Sequence, residues 1–130
     1  MNHTISDFII RIKNAALARR KTVALPYSKL ALAVGKMLVK EGFLENIAEE
    51  KDGNKKALTA TILYEKLMPR FTDVIILSKP SLRVYARSID EKELKGKGLG
   101  TIVVSTSAGV MTGKEAFKKR VGGELLFKIW

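Results

Sequence analysis

Ser105, Thr106 and Ser107 are three small hydroxyl residues in succession, followed by Ala108 and Gly109. Each hydroxyl can donate and accept without bulk. Such groups fit the wide, shallow minor groove of A-form RNA, where 2′-hydroxyls and base edges are exposed. The same run also suits a Ser/Thr turn that bonds its own backbone, and Gly109 is compatible with both. Tyr85 stands two residues from Arg83 and from Arg87, so strand alternation puts all three on one face. An aromatic between guanidiniums can stack on an unpaired base while the cations reach phosphate. A core tyrosine flanked by solvated arginines gives the same pattern. Lys55-Lys56, beside the Gly53-Asn54 turn, reads as a phosphate clamp or as a solvated hairpin tip. The basic triplets Arg19-Arg20-Lys21 and Lys118-Lys119-Arg120 suit helix ends as well as phosphate contacts.

Catalytic chemistry finds little support. Gly96-Lys97-Gly98-Leu99-Gly100 lacks the spacing of a dinucleotide fingerprint and precedes a strand, whereas that fingerprint opens a helix. The segment from Gly109 to Glu115 is one residue short of a phosphate-loop motif and has Glu where Ser or Thr would hold magnesium. His3 is the only imidazole, and cysteine is absent. A disulfide scaffold, thiolate metal sites and a multi-histidine centre are therefore excluded. No catalytic residue, metal or cofactor is expected. The chain reads as a non-enzyme.

The composition points to a partner class. The 130 residues include 24 Lys plus Arg against 13 Asp plus Glu, a formal net charge of +11. A hydrophobic fraction of 46% is enough for a core, so the chain is not a polybasic tail. Residues 1–64 hold 11 of the basic and 6 of the acidic groups, and residues 65–130 hold 13 and 7. Both halves are basic. A polyanion is the expected partner, with nucleic acid ahead of an anionic membrane surface. No apolar run approaches the roughly 20 residues of a membrane-spanning helix. The opening MNHTISDF has no secretory pattern. A cytoplasmic location is the expectation.

Two small α+β halves position these residues. Thr4 and Asp7 suggest a capping box, and Ile5, Phe8, Ile9, Ile12 and Ala16 follow at helical spacing. That stripe leaves Arg11, Lys13 and Asn14 on the other side. A strand at Val23–Leu25, a helix from Ser28 to Glu41 closed by Gly42, and strands at Phe43–Ile47 and Ala57–Tyr64 complete residues 1–64. Residues 65–71 read as the connection. The half at 72–130 reads as strands at Val74–Leu77, Leu82–Ala86, Thr101–Val104 and Glu124–Trp130. Ile89–Lys95 reads as a charged turn or short helix. A helix capped by Thr112 and Glu115 runs to Arg120 before Gly122-Gly123. Alternation places Leu125, Phe127 and Ile129 on one face of the last strand. Met37, Met68 and Met111 read as packing residues.

The run Ser105-Thr106-Ser107-Ala108-Gly109-Val110-Met111-Thr112, then Lys114-Glu115-Ala116 and Gly122-Gly123-Glu124-Leu125, ending at Trp130, closely resembles the C-terminal signature of the bacterial small-subunit ribosomal protein eight family. Further matches are Arg11-Ile12-Lys13-Asn14-Ala15, Pro26 with Ser28-Lys29, Ser78-Lys79-Pro80, Leu82-Arg83-Val84-Tyr85 and Gly98-Leu99-Gly100. They run in order over nearly the whole chain. The resemblance implies a two-domain α+β protein that binds the central domain of 16S ribosomal RNA and helps assemble the platform of the small (30S) subunit. It implies that the Ser-Thr-Ser loop enters the RNA, helped by the Glu of the Gly-Gly-Glu segment. Those roles fall on Ser105, Thr106, Ser107 and Glu124, with Gly109 shaping the loop. Tyr85, Arg83, Arg87, Lys55 and Lys56 join them as candidate RNA-binding residues. So do Thr4, Arg11, Asn14, Ser28 and Lys29 from the first half. The family also implies contacts with ribosomal proteins five and twelve, and for some members repression of their own operon mRNA. The chain departs from the family pattern at Ala108, where a basic residue is usual, and at Ser81, Gly113 and Phe127-Lys128. The usual proline before Gly98 is also missing.

Overall fold

Apolar residues three and four apart dictate the first helix, α1 (Asn2–Leu17). Ile5, Phe8, Ile9, Ile12 and Ala16 are all buried, while Arg11 and Asn14 are exposed. The computed structural model describes residues 2–70, 72–78, 84–86 and 100–130, with side chains at 2–4, 52 and 86 left aside. Helical backbone begins at Asn2, so Thr4 lies within α1 rather than capping it. A cap residue needs extended backbone outside the helix, and here the helix runs past that point. Asp7 instead accepts from Arg11 Nε at 3.1 Å, one helical turn on.

The fold is α+β, and every strand pair among the described residues is antiparallel. From Thr4 onward the chain divides into two compact units, Thr4–Thr72 and Asp73–Trp130. In the first, strand β1 (Thr22–Pro26) ends at a proline that cannot continue a ladder. Helix α2 (Lys29–Lys40) follows, with Ser28 as its N-cap accepting the Ala31 N–H at 3.0 Å. Gly42, at a φ of 85°, takes the left-handed position beyond the helix end. Strands β2 (Leu44–Asp52) and β3 (Lys55–Ile62) form a hairpin around Gly53-Asn54, giving a sheet of order β1-β3-β2. Leu58, Ala60 and Ile62 alternate into the core. Gly35 in α2 leaves room for Ile47 of β2, whose Cδ1 would lie 2.1 Å from an added Cβ.

The expected connection at 65–71 carries a short hairpin in its described part, residues 65–70. Strands β4 (Tyr64–Glu65) and β5 (Met68–Pro69) pair across a two-residue turn. Lys66 and Leu67 both have positive φ, 54° and 68°, without being glycine. The Arg19 guanidinium donates to the Leu67 carbonyl and approaches Met68 Sδ at 3.5 Å. Tyr64 donates to the Arg20 carbonyl at 2.5 Å, and Arg70 pairs with Glu65. Met68 is exposed rather than packed, unlike buried Met37 and Met111.

The second unit is built around one strand. Strand β6 (Val74–Ile76) and strand β7 (Tyr85–Ala86) pair with the same edge of β10 (Gly123–Ile129), and β8 (Thr101–Thr106) pairs with the other. Strand β9 (Gly109–Thr112) continues the sheet beyond β8. Helix α3 (Gly113–Lys119) is capped by Thr112, which accepts from the Glu115 N–H at 3.2 Å. Ile102, Val104, Met111, Ala116 and Leu125 form a core cluster with Leu77, Val84 and Val121 around it. The Leu82–Ala86 strand is described only from Val84 onward. The turn at Ser81, the segment Ile89–Lys95 and the glycines at 96 and 98 lie outside the described residues. Among the described residues, no helix is long and apolar enough to cross a membrane.

The cap at Ser28 separates a folding role from an RNA role. Ser28→Ala should lower the unfolding free energy by about 1 kcal/mol in urea titrations. Ser28 Oγ only accepts in this cap, so its proton is still able to meet an RNA acceptor, and RNA affinity of the folded variant separates the two roles.

Candidate nucleic-acid interface

The three successive hydroxyls are held differently. Strands β8 and β9 pair Thr106 with Gly109, so Ser107 and Ala108 form a two-residue turn. Thr106 Oγ1 donates to the Gly109 carbonyl at 2.8 Å and accepts from the Ala108 N–H at 3.1 Å. Its single proton is therefore used inside the turn. Gly109, at a φ of 118°, carries the positive-φ position that lets the chain re-enter β9. Ser107 is exposed at the tip, and Ser105 is half-buried on the strand. By alternation Ser105 and Thr106 point to opposite faces. Thr106 shapes the loop; Ser105 and Ser107 are the hydroxyls it presents.

Four strands place a row of side chains on one face. Glu124 pairs with Tyr85 on one side and Ser105 on the other, and Ser105 pairs with Val110. Directly opposed residues of antiparallel strands share a face with Cβ atoms about 5 Å apart. Tyr85, Glu124, Ser105 and Val110 thus run in order across β7, β10, β8 and β9. Tyr85 is 65% exposed, so its ring is not a core ring. Arg83 and Arg87 lie outside the described residues.

A bulge in β10 creates this alignment. Leu125 opposes Val104 while Phe127 opposes Val103, which leaves Leu126 as an extra residue. Leu125 and Phe127 therefore face opposite ways, and the expected common face for Leu125, Phe127 and Ile129 does not form. The bulge resets strand phase between them. Phe127 and Ile129 share the Glu124 face, whereas Leu125 turns to the cluster around Ala116. The Leu126 carbonyl accepts from the Leu77 N–H at 3.0 Å and the Ser78 N–H at 3.3 Å. Ser78 Oγ then donates to Glu124 Oε2 at 2.5 Å and accepts from the Val84 N–H at 3.1 Å. Glu124 thus sits on a central strand with one carboxylate oxygen held by Ser78. Sequence pattern assigned no role to Ser78, because its partner is 46 residues away.

The first unit brings together another part of the expected set. Arg11 and Asn14 line a groove of about 530 Å³ with Ala15 of α1, Ala18 just beyond it, Arg20 and Thr22. Arg20 is the addition here; its only sequence signal was the basic triplet. Lys29 is exposed on the first turn of α2. Lys55 is exposed next to the hairpin turn. Lys56 is 3.4 Å from Glu49 and lies over the Tyr27 ring at 5.1 Å, so it is partly engaged within the protein. Lys118 and Lys119 occupy the last turn of α3, where they favour the helix dipole. Among the described residues, no three His, Cys, Asp or Glu side chains gather as a metal site.

Comparison with known proteins covers nearly the whole chain. The family model described as ribosomal protein S8 matches residues 3–130. The small ribosomal subunit protein uS8 of Thermosynechococcus vestitus is 39% identical, over 100% of this chain and 98% of that protein. The uS8 of Thermoanaerobacter pseudethanolicus is 41% identical, with the same coverage of 100% and 98%. The uS8c of Physcomitrium patens is 38% identical, over 99% of this chain and 98% of its own.

Close backbone approach keeps Glu124 opposite Ser105. An added Cβ at Gly123 would sit 2.1 Å from the Ser105 carbonyl oxygen and 3.1 Å from Thr106 Cα. Those are backbone atoms, so β8 and β10 would have to separate. Gly123→Ala should destabilise the chain by about 1–3 kcal/mol in chemical denaturation. In the folded variant, the amide resonances of Ser105 and Glu124 should shift most.

Proposed function

The chain belongs to the ribosomal protein S8 family, and from that premise we propose that it binds the central domain of 16S ribosomal RNA directly and helps assemble the platform. As a member of that family it is a structural constituent of the small ribosomal subunit. The observation that carries the RNA reading is the row Tyr85, Glu124, Ser105 beside the Ser107 tip. It combines a stacking ring, an acceptor and hydroxyls on one face, which is the chemistry an RNA minor groove and an unpaired base call for.

The division of labour follows from charge and position. Net charge of +11 supplies attraction to phosphate without regard to sequence. Lys29, Lys55 and the Arg11–Arg20 groove are exposed cations or cation-lined surface suited to that role. Ser105, Ser107, Gly109 and Glu124 read local shape, and Tyr85 stacks on a base. Thr106 holds the loop in the conformation that does so. Nothing in this scheme needs a reacting group, and we assign no catalysis. Ribosomal proteins five and twelve and the chain's own operon mRNA are assigned as further partners, in a cytoplasmic subunit, on the family resemblance alone.

Binding to a central-domain transcript and to a random duplex of equal length tests the scheme. Replacing Ser105 and Ser107 by Ala should cost about 1 kcal/mol per lost hydrogen bond on the transcript and little on the random duplex. Lys55→Ala should weaken both RNAs and lower the salt slope by about one. Tyr85→Ala should cost about 1–3 kcal/mol if the ring stacks on a base. Equal losses on both RNAs for the serine pair would refute the reading.

A further inference from the structure

Ser78 is a buried hydroxyl, 2% exposed, just beyond the apolar strand β6. A polar group there costs free energy unless it is bonded. Its bonds join three parts of the second unit. The Ser78 N–H donates to the bulge carbonyl of Leu126, and its oxygen accepts the Val84 N–H immediately before β7. Its proton goes to Glu124 Oε2 on β10, at 2.5 Å. Satisfying the Val84 amide requires only the hydroxyl oxygen. The donated bond to Glu124 is a separate feature, and it restrains the carboxylate at Oε2.

We propose that Ser78 is a positioning residue for RNA recognition: its hydroxyl holds the Glu124 carboxylate ready to accept a hydrogen bond from RNA laid across the Tyr85–Glu124–Ser105 row. The donor class on a wide A-form minor groove is a 2′-hydroxyl or the amino group of guanine. A carboxylate can approach a polyanion only where a donor meets it, because adjacent phosphates repel it. An unheld glutamate would have to freeze its rotamers on binding, which weakens the complex. Ser78 lowers that cost in advance and helps keep the acceptor in register with Ser105. This inference rests on the reading of Glu124 as an RNA acceptor.

The test measures affinity for the central-domain transcript and for the random duplex with Ser78→Ala, Glu124→Ala and the double variant. Ser78→Ala should lower the ratio of the two affinities about three- to tenfold, with duplex affinity and salt slope unchanged. In the double variant the ratio should equal that of Glu124→Ala alone. An equal loss on both RNAs, or independent effects in the double variant, would show that Ser78 merely supports the fold and would overturn the proposal. Should Ser78→Ala lower the folded fraction, Ser78→Cys carries the same comparison, since it keeps the site filled while weakening the donated bond. Full discrimination by that folded variant also overturns the proposal. A Glu124→Ala variant that keeps its discrimination refutes the underlying acceptor reading instead, and the proposal falls with it.

Discussion

One extra residue in β10 governs the second unit. Leu126 interrupts the pairing with β8, and its carbonyl is taken up by two N–H groups, from Leu77 and Ser78. Buried carbonyls need such partners, so a bulge on a central strand persists only where another segment supplies them. The segment that does so also carries the hydroxyl that reaches Glu124. Alignment of Tyr85, Glu124 and Ser105 and satisfaction of the bulge are therefore a single arrangement. Had the pairing run without interruption from Phe127 opposite Val103, Glu124 would fall opposite Thr106 and its side chain on the other face.

The opposite charge demands on this surface are met by separation. A strongly basic chain draws RNA over a broad area, and such attraction discriminates poorly. The proposed reading groups are mostly uncharged, apart from one carboxylate tied down inside the sheet. Thr106 shows the same economy at smaller scale. Its hydroxyl closes the turn internally, which leaves Ser107 projecting from a loop of defined shape.

Helices were the most legible elements, since their signals are local. The stripe from Ile5 to Ala16 and the caps at Ser28 and Thr112 appear where pattern and side-chain chemistry put them. Thr4 was misread because an acid three residues after a hydroxyl also occurs inside a helix, and Asp7 turned instead to Arg11. Alternation failed at Leu125 because a bulge leaves no mark in a run of apolar residues. Ser78 and Glu124 could not be joined from the sequence, as nothing local records a bond across 46 positions. The hydroxyl run was visible at once, but the separate task of Thr106 needed the register of β8 and β9. Met68 reads as a packing residue, yet it is exposed on β5.

That turn, between β4 and β5, has a dynamic consequence. Two non-glycine residues there hold left-handed backbone, and Arg19, which bonds the turn, has a φ of 59° itself. Left-handed backbone at such residues is strained, and only two pairs of residues form the ladder. With Leu67 84% exposed, little burial offsets that strain. Strained backbone and little burial favour local opening of this hairpin over the longer ladder of β3. The Arg19 guanidinium, bonded to the Leu67 carbonyl, opposes such opening together with the Tyr64–Arg20 and Arg70–Glu65 bonds, so surface polar contacts hold this segment in place of burial.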